Sequence, residues 1–129
     1  MADPVVPVSW GEVLDKIAIL EIKCTRLRAP TAVTNARCEL AALMPALAGM
    51  DPEPPGLAEL RMALAAVNQR LWTIEDQIRE CDARGDFGPA FVALARSIYR
   101  ENDERGRIKH AINMLLGSAL VEEKQYSAY

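Results

Sequence analysis

Apolar residues recur at helical spacing along most of the chain, and clusters of Pro and Gly separate the stretches. The most regular stretch lies in the middle, where apolar side chains follow each other in alternating steps of three and four: Leu57, Leu60, Leu64, Val67, Leu71, Ile74, Ile78 and Cys81. This heptad seam is typical of a long helix that packs along a second helix. At the following "RGDFGP", Gly85 suits a left-handed helix end and Pro89 suits a first helical turn, so the sequence predicts a tight turn there.

The segment before the seam predicts two further helices. The first begins after Ser9, which has the capping-box spacing to Glu12, and runs to about Arg28. Its apolar residues occupy two sides of the helix. Ile19 and Ile22 lie opposite a stripe formed by Val13, Ile17, Leu20, Cys24 and Leu27, so we expect this helix to bury two faces. The second helix is predicted over about 31–49, with a kink or an early end at Pro45. The breaker-rich "GMDPEPPG" then reads as a linker.

A fourth helix is predicted from Pro89 to Leu116, ended by Gly117. Two long helices joined by a tight turn form an antiparallel hairpin, and the first two helices must cover it. The sequence therefore predicts an all-α helical bundle of about four helices, built on a long helical hairpin. We expect one domain over residues 1–129, with an extended segment at 1–8 and a tail of undetermined structure at 118–129.

Polar residues interrupt the apolar stripe of the fourth helix. Asn102, Arg105 and Lys109 fall on the line that faces the core, and Asn113 flanks it. A buried charge without a partner is costly, so these side chains must be paired, hydrated or bound to a ligand. Elsewhere, Asn68 lies level with Asn102 across the hairpin. Glu21, on the apolar side of the first helix, is the expected partner of Arg105 or Lys109.

Two interpretations of this polar stripe remain open from the sequence. It is either a structural network that fixes the register of the helices, or a pocket in which basic side chains hold an anionic ligand while asparagines orient it. The candidate ligand-binding set is Arg105, Lys109, Asn102, Asn113, Glu21 and Asn68. A third possibility is that Arg and Lys reach solvent at the edge of the bundle.

Composition and charge exclude several classes of function. The net charge is −3, with acidic and basic residues mixed along the chain, so we expect neither a nucleic-acid partner nor polybasic attachment to a membrane. No leader-like start, long apolar run or C-x-x-C spacing is present, which predicts a cytoplasmic protein with reduced thiols. With a single histidine, no zinc site is expected. No nucleotide-binding motif or hydrolase triad can be drawn, so we assign neither a catalytic residue nor a cofactor.

Three segments carry a resemblance to a known family: "VSWGEVLDKIAILEIK", "LWTIEDQIRECDARGDF" and "LARSIYRENDERGRIKHAIN" with the following "GSALVEEKQY". As a set they resemble a family of short bacterial proteins of unknown function, over nearly the whole chain apart from residues 29–56. The resemblance implies a small cytoplasmic α-helical domain. It also implies a link to sugar transfer in surface-polysaccharide pathways. It supplies no catalytic residue.

Two functional hypotheses follow. The heptad seam, the two-sided first helix and the lack of a catalytic constellation favour a non-enzymatic interaction module that forms homo-oligomers or binds a protein partner. The alternative is a binding protein or enzyme for a small anionic metabolite at the polar stripe.

Overall fold

The computed structural model describes residues 1–128, and these contain four α-helices and no strand. The helices are α1 (Trp10–Arg26), α2 (Pro30–Leu43), α3 (Leu57–Ala83) and α4 (Pro89–Leu115), with a 3₁₀ helix (Met44–Met50) after α2. The predicted all-α bundle is confirmed. Pro45 does end α2 early: the chain continues beyond it only as the tighter 3₁₀ helix.

The hairpin of α3 and α4 is the frame of the fold. At its turn, Gly85 has a φ of +68° and the amide of Asp86 donates to the carbonyl of Cys81 at 2.9 Å, which is a Schellman ending. The Asp86 carboxylate then accepts from the amide of Gly88, directly before α4. The letters "RGDFG" are therefore explained as a corner between two helices.

Helix α1 lies between the hairpin and α2, and packs against α2, α3 and α4. Its two-sided pattern is confirmed, because Ile17 and Leu20 on one side and Ile22 on the other are all buried. The core joins α1 to one end of the hairpin and consists of Leu14, Ala18, Leu57, Leu64, Val67, Ile108 and Ile112.

The other end of the hairpin has no such cover. Every buried residue of α4 lies between Ile108 and Asn113, and none lies between residues 89 and 107. On α3, Ile74 and Ile78 of the heptad seam are only half-buried, whereas Leu64 and Val67 are at most 1% exposed. We call residues 74–98, the two-helix end of the hairpin beyond α1, the arm.

Helix α4 also ends in a Schellman motif. Gly117 has a φ of +62°, and the amide of Ser118 donates to the carbonyl of Asn113 at 2.8 Å. Residues 118–128 form no regular element and run back along α4. The side chain of Lys124 from this tail lies beside Gly106 of α4.

Candidate functional site

Lys109 is the centre of the polar cluster. Only 7% of the residue is exposed, yet its ammonium group donates to carboxylates of Glu12 at 2.8 Å and Glu122 at 2.9 Å. A third carboxylate, that of the buried Asp15, lies 3.9 Å away. Glu12 and Asp15 come from α1 and Glu122 from the tail, so this one cation joins three parts of the chain.

These carboxylates set the ionisation of the cluster. Burial lowers the pKa of Lys109, but the hydrogen bonds to Glu12 and Glu122 outweigh it, so the pKa lies above its ordinary value and the side chain stays charged. The same hydrogen bond from Lys109 holds the pKa of the Glu122 carboxyl below its ordinary value. Lys109 is therefore a fully paired cation.

A chain of hydrogen bonds leads from Lys109 along the core. The other oxygen of Asp15 accepts from the amide of Asn68 at 2.9 Å. The oxygen of Asn68 accepts in turn from the guanidinium of Arg105 at 3.3 Å. Asn68 therefore has both ends of its amide satisfied, and it connects α1, α3 and α4. At the end of this chain, the Nε of Arg105 is buried and has no hydrogen-bond partner among residues 1–128.

The start of α1 is docked on the end of α4 through its backbone. The first free amides of a helix need acceptors. The amide of Trp10 donates to the hydroxyl of Ser118 at 3.2 Å, and that of Gly11 to the side-chain oxygen of Asn113 at 2.7 Å. A β-carbon on Gly11 would lie 2.6 Å from the carbonyl oxygen of Lys109. Glycine at this position therefore allows the two helices to touch.

Only one of the two hydrogen bonds of the predicted capping box of α1 is formed. The Ser9 hydroxyl accepts from the amide of Glu12 at 3.2 Å, as its spacing predicts. The Glu12 carboxylate turns instead to Lys109. The amides at the start of α1 are thus all satisfied within the protein, and this helix end is not an anion site.

The structure brings five of the six predicted site residues together. Lys109, Asn113, Asn68 and Arg105 belong to the network, and Asn102 lines a groove with Asn68 and Arg105. Glu21 is not brought to them. It is exposed, and it lies in a separate groove of α1 and α3 with Arg61 and Met62. The expected ion pair from Glu21 to Lys109 or Arg105 is replaced by those of Glu12, Asp15 and Glu122.

Sequence reasoning missed these three carboxylates. The signal for Asp15 was present: Gly11, Asp15, Ala18 and Ile22 follow in helical steps of four, three and four, and all four are buried. The signal for Glu122 was absent, because a segment without regular structure has no periodicity that predicts its contacts.

Besides a cavity of about 580 Å³ that Asn102 and Arg105 line together with the tail, two open cavities border the network. One, of about 600 Å³, lies between α4 and the tail and mixes basic residues with Asp103, Glu122 and Glu123. His110 is exposed at the edge of this cavity. The other, of about 450 Å³, lies where α1 ends on the hairpin. We call this second cavity the Trp72 groove, because the half-buried Trp72 contributes to it from α3.

A family model described as a family of unknown function, DUF6165, matches residues 5–129. The chain belongs to this family. The match spans α1 to α4 and also the tail that supplies Glu122, so the segments of the Lys109 network all lie inside the DUF6165 region. Comparisons with curated proteins and with solved structures return no match.

Two classes of site find no support in the part of the chain that the structure describes. No three side chains of His, Cys, Asp or Glu come together in a way that could hold a metal ion. None of the described helices is long and apolar enough to cross a membrane.

Proposed function

We propose that this DUF6165 protein is a homodimeric interaction module, in which the arm of one copy packs against the arm of a second copy. The observation that carries the proposal is the change of burial along the hairpin. Along the seam of α3, Leu57, Leu64, Val67 and Leu71 are buried, whereas Ile74 and Ile78 beyond α1 are half-buried. Cys81, beside the turn, is buried again. The two helices of the arm leave Ile74 and Ile78 partly open to solvent, whereas two such hairpins together form a four-helix bundle that can cover them.

The arm presents an apolar floor that a second hairpin can cover. Near the turn, Ile78, Ala83 and Phe91 border an open groove of about 560 Å³. Phe91 packs edge-to-face on Phe87, which is 57% exposed. Leu94 and Ile98 continue the half-buried line along α4. Burial of such a patch contributes a favourable free energy of about 25 cal/mol per Å² of apolar surface, and this free energy drives association.

Charge complementarity favours a second copy as the occupant. Within the arm, α3 carries four carboxylates against the single Arg79: Glu75, Asp76, Glu80 and Asp82. The facing segment of α4, residues 89–100, carries Arg96 and Arg100 and no acidic residue. In a two-fold symmetric pair, α3 of each copy lies beside α4 of the other, so acidic and basic segments meet twice.

The Lys109 network supports a structural role for most of the polar stripe. Lys109, Asn113 and Asn68 all spend their hydrogen bonds on other parts of the chain. Their positions fix α1 and the tail on α4, which leaves the arm as the free element of the fold.

The test is sedimentation velocity over a range of protein concentration. We expect a dimer for the unaltered chain, and a shift to monomer for Phe91→Ser. Val92→Ser is the matched control, because Val92 is 51% exposed and points about 100° away from Phe91 around α4. Far-UV circular dichroism checks that both variants keep their helices.

Charge gives a second readout of the same interface. Arg96→Glu adds a carboxylate to the basic segment of α4, so we expect a weaker dimer whose loss is largest at low salt. A chain that stays monomeric at every concentration would overturn the proposal. So would a dimer that loses the same affinity with Val92→Ser as with Phe91→Ser, because the interface would then lie elsewhere.

A further inference from the structure

The Trp72 groove combines an apolar wall with polar groups at one side. Ile19 and Ile22 of α1 and Leu71 and Trp72 of α3 form the wall. Asn102 and Arg105 of α4 supply the polar side. Its volume of about 450 Å³ lies within the range of small-molecule sites, and such sites pair apolar walls with a few placed polar groups.

The polar side of the groove has unused donors. The Nε of Arg105 has no partner in the described part of the chain, although a buried donor normally has one. It is closed to solvent, so the Arg105 side chain must turn towards the groove for a ligand to reach it. The side-chain amide of Asn102 is half-buried and makes no hydrogen bond to a described residue. Asn102 and Arg105 are three residues apart on α4, so their side chains project from one face of the helix.

We propose that the Trp72 groove binds a small organic monocarboxylate with a branched or aromatic body. The guanidinium of Arg105 and the amide of Asn102 receive the carboxylate, because a planar fork of N–H groups matches its two oxygens. The apolar body lies against Trp72, Ile19 and Ile22. Lys109 has no part in this site, since its hydrogen bonds are committed to Glu12 and Glu122.

Acidic residues at the groove do not cancel this preference. Glu75 is paired with Arg79 at 3.3 Å, so its charge is already compensated. Asp76 is exposed, where water and salt screen it strongly. The carboxylate of Asp76 still repels a bound anion weakly. Its removal in Asp76→Asn should therefore improve binding.

The fluorescence of Trp72 can report binding in the groove. The chain has two tryptophans, and Trp10→Phe leaves Trp72 as the reporter within the groove. We would titrate this variant with phenylacetate and with 4-methylpentanoate, and use phenylacetamide as the uncharged match of the first. We expect saturable changes in the emission of Trp72 for both carboxylates. Phenylacetamide should bind at least about tenfold more weakly.

Variants around the groove separate the site from the fold. Asn102→Leu should weaken phenylacetate by about tenfold while the melting temperature is unchanged, because the Asn102 side chain holds no other element. Asp76→Asn should tighten binding. Arg105→Met should abolish binding, and its melting curve shows whether the chain still folds.

Three results would overturn the proposal. The first is no saturable change with either carboxylate up to about 10 mM. The second is equal affinity for phenylacetate and phenylacetamide, because the groove would then take up apolar groups without regard to charge. The third is unchanged affinity in Asn102→Leu. Because Glu75 and Arg79 border both this groove and the groove near the turn, the titration is repeated in the Phe91→Ser monomer, which should keep phenylacetate binding.

Discussion

Replacement of Lys109 by methionine removes the cation that joins α1, α4 and the tail. Met has a similar length and an apolar side chain, so packing is largely kept while the charge is lost. Glu12 and Glu122 have side chains 49% and 42% exposed, and they regain water when Lys109 is gone. The Asp15 side chain is 6% exposed and cannot do so. The cost of Lys109→Met therefore falls on Asp15.

The magnitude follows from this stranded carboxylate. Removal of one partner from a buried ion pair costs about 3–5 kcal/mol. The Lys109–Asp15 separation of 3.9 Å is longer than a hydrogen bond, and Asn68 still donates to Asp15, so we expect the lower end, about 3 kcal/mol. For a chain of this size, that loss lowers the melting temperature by about 10 °C.

A second substitution identifies the cause. Asp15→Asn keeps an oxygen for the amide of Asn68 and removes the charge. With Lys109 present it should destabilise the protein, because the cation loses a partner. With Lys109→Met present it should restore at least about 1 kcal/mol, because it removes the stranded charge.

The assay is urea unfolding followed by circular dichroism for the four chains of this cycle. A loss below about 1 kcal/mol for Lys109→Met would refute the reasoning. So would an Asp15→Asn substitution that destabilises both backgrounds by the same amount, since Asp15 and Lys109 would then be uncoupled.

Three further predictions concern the same region. Gly11→Ala should cost about 2 kcal/mol by overpacking against the carbonyl of Lys109, whereas Gly49→Ala, with no atom within 4 Å, should change the free energy of unfolding by less than about 0.5 kcal/mol in urea unfolding. Arg105→Met should cost about 2 kcal/mol in the same assay, because it leaves the buried side-chain oxygen of Asn68 without its donor, although it also removes the unsatisfied Nε. The pKa of Glu122 is lowered, so its ionised carboxylate stabilises the fold at pH values above the ordinary pKa of 4.5, and this stabilisation is lost as the pH falls through the lowered pKa. Titration of the Glu122 carboxyl by NMR should give the lowered pKa, and Lys109→Met should return it towards 4.5.

The elements of the fold could be predicted because each has a local signal. The seam of α3 and the glycines at 85 and 117 give the two long helices and their ends. The two apolar sides of α1 predict that it is enclosed. Half-burial of the arm could not be predicted, because periodicity shows which face of a helix is apolar and not whether another element reaches it.

The partners of Lys109 could not be predicted, because they depend on how far α1 is shifted along the axis of α4. The sequence places Glu21 and Asp15 on α1 but does not say which turn lies opposite Lys109. The close approach at Gly11 decides this, since it brings Glu12 and Asp15 level with Lys109. Glu21 is then about 9 Å farther along the helix axis than Asp15, beyond the reach of the cluster.

The most direct test of the proposed function is the mass of the assembly, measured by native mass spectrometry on the unaltered chain. The account predicts a species of twice the 14.2 kDa chain mass, and a return to the single chain in Phe91→Ser but not in Val92→Ser. A single-chain mass for the unaltered protein at micromolar concentration would contradict it, because the arm would then remain uncovered in solution.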